Sequence, residues 1–238
     1  MSAADRNAGR EQRAWASADS LSFFTRERSA PDALYPSERI FLPDAVKRAS
    51  SVLDVGCACG GFARIMRAFN PSVRYTGVDI VPEMLSLARS DNPDDPFVVA
   101  DGRDLPFPDR AFDLVHCSGT VHLNSGYEAL IADMWRVAGR EALFDMRLTE
   151  GPSVTGKFRV DFTGAGRGGI LPYHVVNLDT ARALIDGLPD APAGVRLAGY
   201  RHPASGNADL PAGTNVIMAF LLLEHASPET GWDIRVES

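Results

Sequence analysis

Lysine is nearly absent from this chain. It occurs at Lys47 and Lys157 alone, so almost all of the 24 basic residues are arginine, a bias that fits a GC-rich bacterial genome. Basic residues are also outnumbered by 31 Asp and Glu, which leaves a net charge of −7. Nucleic-acid substrates call for a basic face, so this balance argues against one. Cysteine is scarce too, and three cysteines do not make a disulfide framework. Cys57 and Cys59 have the spacing of a metal pair, with Cys117 as a remote third, but no histidine stands at a usable spacing beside them. Small side chains packing a turn explain the pair better, and the expectation is no metal. No apolar run approaches the roughly 20 residues that cross a bilayer, and the N-terminus is polar with mixed charge. The expectation is a cytoplasmic protein with no membrane partner. What is present, 238 residues with 45% hydrophobic and 23% charged, suffices for one sizeable core.

The densest information lies in residues 52–63. A short apolar strand carries Asp54 and breaks into a glycine-rich turn that opens an amphipathic segment, Phe62 to Phe69. Such a turn sets backbone N–H groups and a helix start against a ligand, and Gly56 and Gly60 have no Cβ to obstruct its approach. The next strand ends at Asp79, about 20–25 residues on, where a nucleotide's ribose would lie. A third apolar run ends at Asp101-Gly102-Arg103, and Leu105 to Gly119 forms a turn feeding a fourth strand. Asp54 alone reads equally well as a cap, and Asp101 as the start of a turn. Three acids in order at three strand ends outweigh those separate readings.

This ordered set resembles the class I S-adenosylmethionine-dependent methyltransferases, in the broad group acting on small molecules. The resemblance is close over residues 50–148 and topological elsewhere. It implies a Rossmann-like seven-stranded, mostly parallel sheet with an antiparallel last strand and helices on both faces. It also implies S-adenosyl-L-methionine as cofactor and S-adenosyl-L-homocysteine as product. The glycine motif maps onto Asp54, Gly56, Ala58 and Gly60. Ala58 replaces the middle glycine, which is tolerable if the backbone there keeps φ below zero. By the same resemblance Asp79 holds the ribose hydroxyls, Ile80 and Met84 pack on the adenine, and Asp101 accepts from its amino group. Gly102 and Arg103 lie alongside the ring, and Ser118 sits near the methionine end.

For the methyl acceptor the candidates are His122, just beyond the fourth strand, and His174 with Tyr173 further on. Asp145 and Arg147, late in the fifth strand, suit an amine or a carboxylate. His116, inside the fourth strand, reads as a core residue. The Asp/Asn-Pro-Pro-Tyr/Phe signature of DNA amino-group methylases is missing after that strand, and His116-Cys117-Ser118-Gly119 stands in its place. A small-molecule acceptor is therefore expected, with methylation at O, N or C left open. Whether a general base is used, and whether the chain is a monomer or a homodimer, are also open.

Residues 1–48 read as an N-terminal helical cap with its first dozen residues disordered, and 49–238 as the cofactor-binding domain. Within the cap, Tyr35 and Arg39 are candidates for ligand contact. Strands are expected near 51–56, 73–78, 96–100, 111–117, 141–147, 195–201 and 215–224. Helices are expected near 61–69, 82–90, 125–138 and 178–188. Residues 150–176 carry Gly151, Gly156, Gly164, Gly166, Gly168 and Gly169 among aromatics, without clear period, and read as a lid-like insertion. Two other functions fit less well. Gly56, Ala58 and Gly61 approximate a dinucleotide fingerprint, but Asp54 and Asp101 suit an NAD(P)-dependent oxidoreductase poorly. A non-catalytic cofactor-binding module leaves no sequence mark that would exclude it.

Overall fold

A computed structural model describes residues 3–26, 28–164, 168–227 and 230–237; Gly166, in the expected lid, lies outside them. The chain opens with three helices, α1 (Ala3–Trp15), α2 (Ala18–Arg26) and α3 (Pro36–Arg48). Residues 3–12, within the first dozen expected to be disordered, thus lie in a helix. Pro36 at the first turn of α3 has no N–H to leave orphaned, and the Glu38 carboxylate accepts the Tyr35 N–H at 3.2 Å.

Strand and helix then alternate. The elements are β1 (Ser51–Val55), α4 (Gly61–Phe69), β2 (Arg74–Asp79), α5 (Pro82–Asp91), β3 (Phe97–Val99), β4 (Phe112–Cys117), α6 (Tyr127–Val137) and β5 (Ala138–Thr149). Parallel strands need such crossovers, and β3–β2–β1–β4–β5 pair in parallel in that order. From Ala142 to Thr149 every residue of β5 is buried, as expected of a strand covered on both faces.

The chain continues through β6 (Val154–Arg159), β7 (Ile170–Asn177), α7 (Leu178–Asp186), β8 (Gly194–Arg201), β9 (Ala208–Asp209), β10 (Ile217–Glu224) and β11 (Gly231–Glu237). β10 slots between β5 and β8, antiparallel to both, and β11 pairs in parallel with β8. The Rossmann-like, mostly parallel architecture stands as expected, with one strand more in the row than the expected seven. The antiparallel member is β10, and the last strand of the chain lies beyond it at the edge.

Residues 150–176 depart further from expectation. They hold β6 and β7, an antiparallel hairpin that β9 extends and that joins the end of β5 at Leu148–Val176. Alternation was hidden in the sequence because Gly156 and Pro172 occupy strand positions. Gly156 is needed where β9 crosses, since a Cβ there would come within 2.3 Å of the Asp209 carbonyl oxygen. Two apolar layers cover the main sheet. One, around Phe144, Trp135 and Leu130, lies under α6 and α7; the other, around Tyr75, Phe220 and Leu42, lies under α3, α4 and α5. No helix of the described residues is long and apolar enough to cross a membrane.

Candidate functional site

The carboxyl ends of β1, β2, β3, β4 and β5 open on one cavity of about 520 Å³, which α1, α2, β6 and β7 wall off from the other side. Open parallel sheets place ligands at this edge because the loops there diverge around a crevice. Of the residues singled out in the sequence, Gly56, Ala58, Asp79, Ile80, Met84, Asp101, Gly102, Ser118 and His122 line the cavity. Tyr35, Tyr173 and Arg147 line it as well.

The glycine-rich turn is pinned from below. The N–H groups of Gly56 and Cys57 both donate to the Val78 carbonyl, at 2.8 and 3.0 Å, and the Ala58 N–H donates to Asp79 Oδ2 at 2.9 Å. These groups are therefore spent on holding the turn to β2, where the sequence suggested that they would face a ligand. Gly56 has φ 76°, and a Cβ on it would meet Thr120 Oγ1 at 2.4 Å. Ala58 has φ 47°, so the negative φ that would make alanine tolerable there is not met. Its methyl group is held in the left-handed region by the bond to Asp79, at a cost that glycine would avoid. Gly60, also left-handed at φ 75°, caps α4 and does not line the cavity. The start of α4 is covered: a Cβ on Gly61 would come within 2.6 Å of the Arg28 carbonyl oxygen.

Asp79 faces the cavity with 9% exposure. Burial pushes its pKa up to about 6, while the N–H groups of Val81 and Ala58 pull it back. At the end of β3, Arg103 wraps Asp101 through Nε and Nη2 at 2.9 and 2.6 Å and reaches Glu11 of α1 at 3.3 Å. Arg103 thus braces the wall from behind and is not part of the cavity surface.

Asp54 turns away from the cavity into a buried polar chain. Its Oδ2 accepts the Tyr75 hydroxyl at 2.6 Å, and its Oδ1 takes His116 Nδ1 at 2.8 Å. His116 Nε2 then meets Glu38 Oε1 at 3.1 Å, and Glu38 Oε2 takes Arg28 Nη2 at 2.5 Å. Burial alone would lower the His116 pKa, but bonds to Asp54 and Glu38 outweigh it and raise it to about 9. The imidazolium therefore donates from both nitrogens. Arg28 Nη1 donates to Ser118 Oγ at 2.8 Å, and its guanidinium lies over Tyr35 and Phe62, 4.4 and 4.9 Å from the ring centroids. The segment before α3 is thereby bonded to β1, β2 and β4. This chain went unseen in the sequence; its one signal was a histidine between Val115 and Cys117 in a buried strand.

The far end of the cavity sets one ion pair among apolar, tyrosine and histidine side chains. Arg147 Nη1 donates to Asp145 Oδ2 at 2.6 Å, and the Gly119 N–H donates to Asp145 Oδ1 at 2.7 Å. Burial raises the Asp145 pKa, but Arg147, His122 and the Gly119 N–H together more than offset it and the net direction is down. His122 Nδ1 lies 3.7 Å from Asp145 Oδ2 and has no hydrogen-bond partner. Burial, with Arg147 beside it, pulls its pKa down to about 3, so the ring is neutral and weakly basic. His174 is placed elsewhere. In β7 the side chains alternate, so Tyr173 enters the cavity while His174 turns behind its wall to Thr155 Oγ1, 3.0 Å away. Arg39 is exposed and bonds the Asp32 carbonyl at 2.9 Å, away from the cavity. Sequence reasoning missed Glu11, Trp15, Arg28 and the loop residues His202, Pro203, Ser205 and Asn207, all of which line it.

Known proteins match this arrangement. Residues 52–140 match a family described as a methyltransferase domain. The demethylmenaquinone methyltransferase of Deinococcus radiodurans is 38% identical over 90 residues, 36% of this chain and 37% of that protein. The fatty-acid O-methyltransferase of Mycolicibacterium smegmatis is 36% identical over 89 residues, 36% of this chain and 32% of that protein. The chain thus spans about a third of the length of these curated relatives. Among solved structures, the 1,6-didemethyltoxoflavin-N1-methyltransferase of Burkholderia thailandensis, with bound 1,6-didemethyltoxoflavin and S-adenosylhomocysteine, superposes with a TM-score of 0.59. It is 16% identical, the alignment covers 94% of this chain and 92% of that one, and the likeness is one of fold.

Proposed function

We propose, from the match of residues 52–140 to a methyltransferase domain and their resemblance to the class I S-adenosylmethionine-dependent methyltransferases, that the chain transfers a methyl group to a small molecule held in this cavity. The observation that carries the reading is the convergence of Gly56, Asp79, Asp101 and Ser118, from four strand ends, on one cavity that also holds a buried ion pair. The residues fit the cofactor of that family. Asp79 is a buried carboxylate facing the cavity with only backbone N–H donors bonded to it, so it can accept from a diol. Gly56 leaves the floor beside Thr120 clear, where any Cβ would collide.

When bound, S-adenosylmethionine supplies an electrophilic methyl group on a sulfonium whose sulfur leaves as a thioether. The work left to the protein is alignment. Asp79 would hold the ribose end, with Ile80 and Met84 as apolar faces and Asp101 and Gly102 at the base edge. Ser118, fixed by Arg28, would stand near the methionine end. Trp15 and Phe24 would exclude water from above. His122 shapes the acceptor end; a ring with a pKa of about 3 removes protons poorly, so an acceptor that arrives already ionised suits the site better than one needing a base. The relative named for fatty acids shows that such acceptors occur among similar chains. A recessed cavity of about 520 Å³ and a net charge of −7 favour a small molecule over nucleic acid.

Calorimetric titration with S-adenosylmethionine and S-adenosylhomocysteine tests the reading. Wild type should bind both, and Asp79→Ala should bind them about 100-fold more weakly, about 2.7 kcal/mol. No binding by the folded wild type would overturn it.

A further inference from the structure

The acceptor end of the cavity contains a cation with little to do inside the protein. Arg147 is 6% exposed, yet its guanidinium makes one hydrogen bond to the described residues, from Nη1 to Asp145. A guanidinium carries five N–H donors in a planar fork, and a buried one that uses a single donor is set up for a further acceptor. The other arginine lining the cavity spends both terminal nitrogens on the protein, and only its Nε is without a partner among the described residues. Arg28 bonds Ser118 and Glu38 and lies over two rings. Arg103 is turned outward to Asp101 and Glu11.

Asp145 does not compete for a ligand. Both of its oxygens are taken, by the Gly119 N–H and by Arg147, so it acts as a strut that aims the guanidinium. An amine brought here would meet Arg147 before any free carboxylate. The lining of the cavity around the fork includes Met218, Phe158 and Leu123, with the tyrosines Tyr173 and Tyr35 and the neutral His122 as its polar side chains. An apolar pocket with one fork-shaped cation at its base matches an organic acid: the hydrocarbon part meets the walls and the carboxylate meets two N–H groups at once.

We propose that Arg147 selects the acceptor, and that the acceptor is a carboxylate-bearing small molecule whose acid group pairs with the guanidinium. The inference rests on the methyltransfer reading, since the acid is to share the cavity with the cofactor. Arg147 is a specificity residue here, and Asp145 is the residue that positions it.

The test is calorimetry on the protein saturated with S-adenosylhomocysteine, using octanoate, benzoate and cinnamate, each against its primary amide. Wild type should bind at least one acid roughly tenfold or more tightly than its amide. Arg147→Gln should bind that acid and amide alike, and Arg147→Lys, which keeps the charge but loses the fork, should retain a reduced preference. Both variants should bind S-adenosylhomocysteine within about threefold of wild type, which also shows that they fold. The proposal is overturned if wild type binds none of the three acids, if acids and amides bind alike, or if Arg147→Gln keeps the preference. Loss of S-adenosylhomocysteine binding by wild type would bring down the methyltransfer reading itself, and this proposal with it. Intact binding without acid preference would bring down this proposal alone.

Discussion

The two ends of the cavity are built in opposite ways. At the end of β1, β2 and β3 the polar groups are held by the strand-end turns themselves: Asp79 by the N–H of Val81 two positions on and that of Ala58 in the glycine-rich turn, Asp101 by Arg103 two positions on. At the other end the walls come from β6, β7 and the loop around Ser205, with α1 and α2 spanning both ends, and they meet only through the fold. Phe23 of α2 stacks on Phe162, 4.1 Å between centroids across 139 positions of sequence. A cofactor-shaped end can thus be encoded locally and shared among relatives, while an acceptor end is assembled from parts that vary independently.

That contrast can be broken at several points. The strongest is His116. Replacing it by leucine leaves Glu38 and Asp54 buried without their shared partner, and should cost about 3–5 kcal/mol in urea unfolding. The pH dependence has a definite sign. The folded pKa, about 9, lies above the ordinary histidine value of about 6.5. The stabilisation is therefore complete below about pH 6.5 and is lost as pH rises through about 9. A wild-type stability curve that is flat over that window would contradict the charged chain. A second, smaller effect separates the two ends directly. Phe162→Ala should lower stability by about 1 kcal/mol, through the lost stack with Phe23, while S-adenosylhomocysteine affinity moves less than about threefold. A large loss of that affinity would show that the ends are not independent. The smallest effect is a gain. Ala58→Gly should raise stability by about 0.5 kcal/mol, because relief of the left-handed alanine exceeds the entropy glycine adds to the unfolded chain. A melting temperature lower than wild type would refute it.

The same contrast explains what the sequence disclosed. The strands and helices from β1 to β5 are legible because each is bounded by local chemistry: Gly60 at the start of α4, Pro82 at the start of α5, acids at the strand ends. Asp79, Ile80, Met84 and Asp101 follow from that order and do line the cavity. Asp54 follows from it too, but its side chain is claimed by His116 and Tyr75, partners 62 and 21 positions away that no local pattern reveals. Glu11 and Trp15 sit in a strongly polar segment with few apolar residues, a helix that gains its stability from packing on the rest of the fold. The hairpin of β6 and β7 was masked by glycines and a proline that the crossing strand and the edge position permit. His174 was misplaced for the simplest reason. Adjacent residues of a strand face opposite ways, so the sequence could not decide between it and Tyr173 until the register was known.

The last strand has a consequence for how the molecule meets others of its kind. β11 presents Trp232, Ile234 and Val236 toward the apolar layer and Asp233, Arg235 and Glu237 on the opposite side, along the outer margin of the main sheet. A margin of unpaired backbone invites another chain to add a strand, and it is charge at such a margin that discourages the addition. By pairing with β8, whose Val195 and Leu197 are buried, β11 replaces an apolar margin with one that carries charges of both signs.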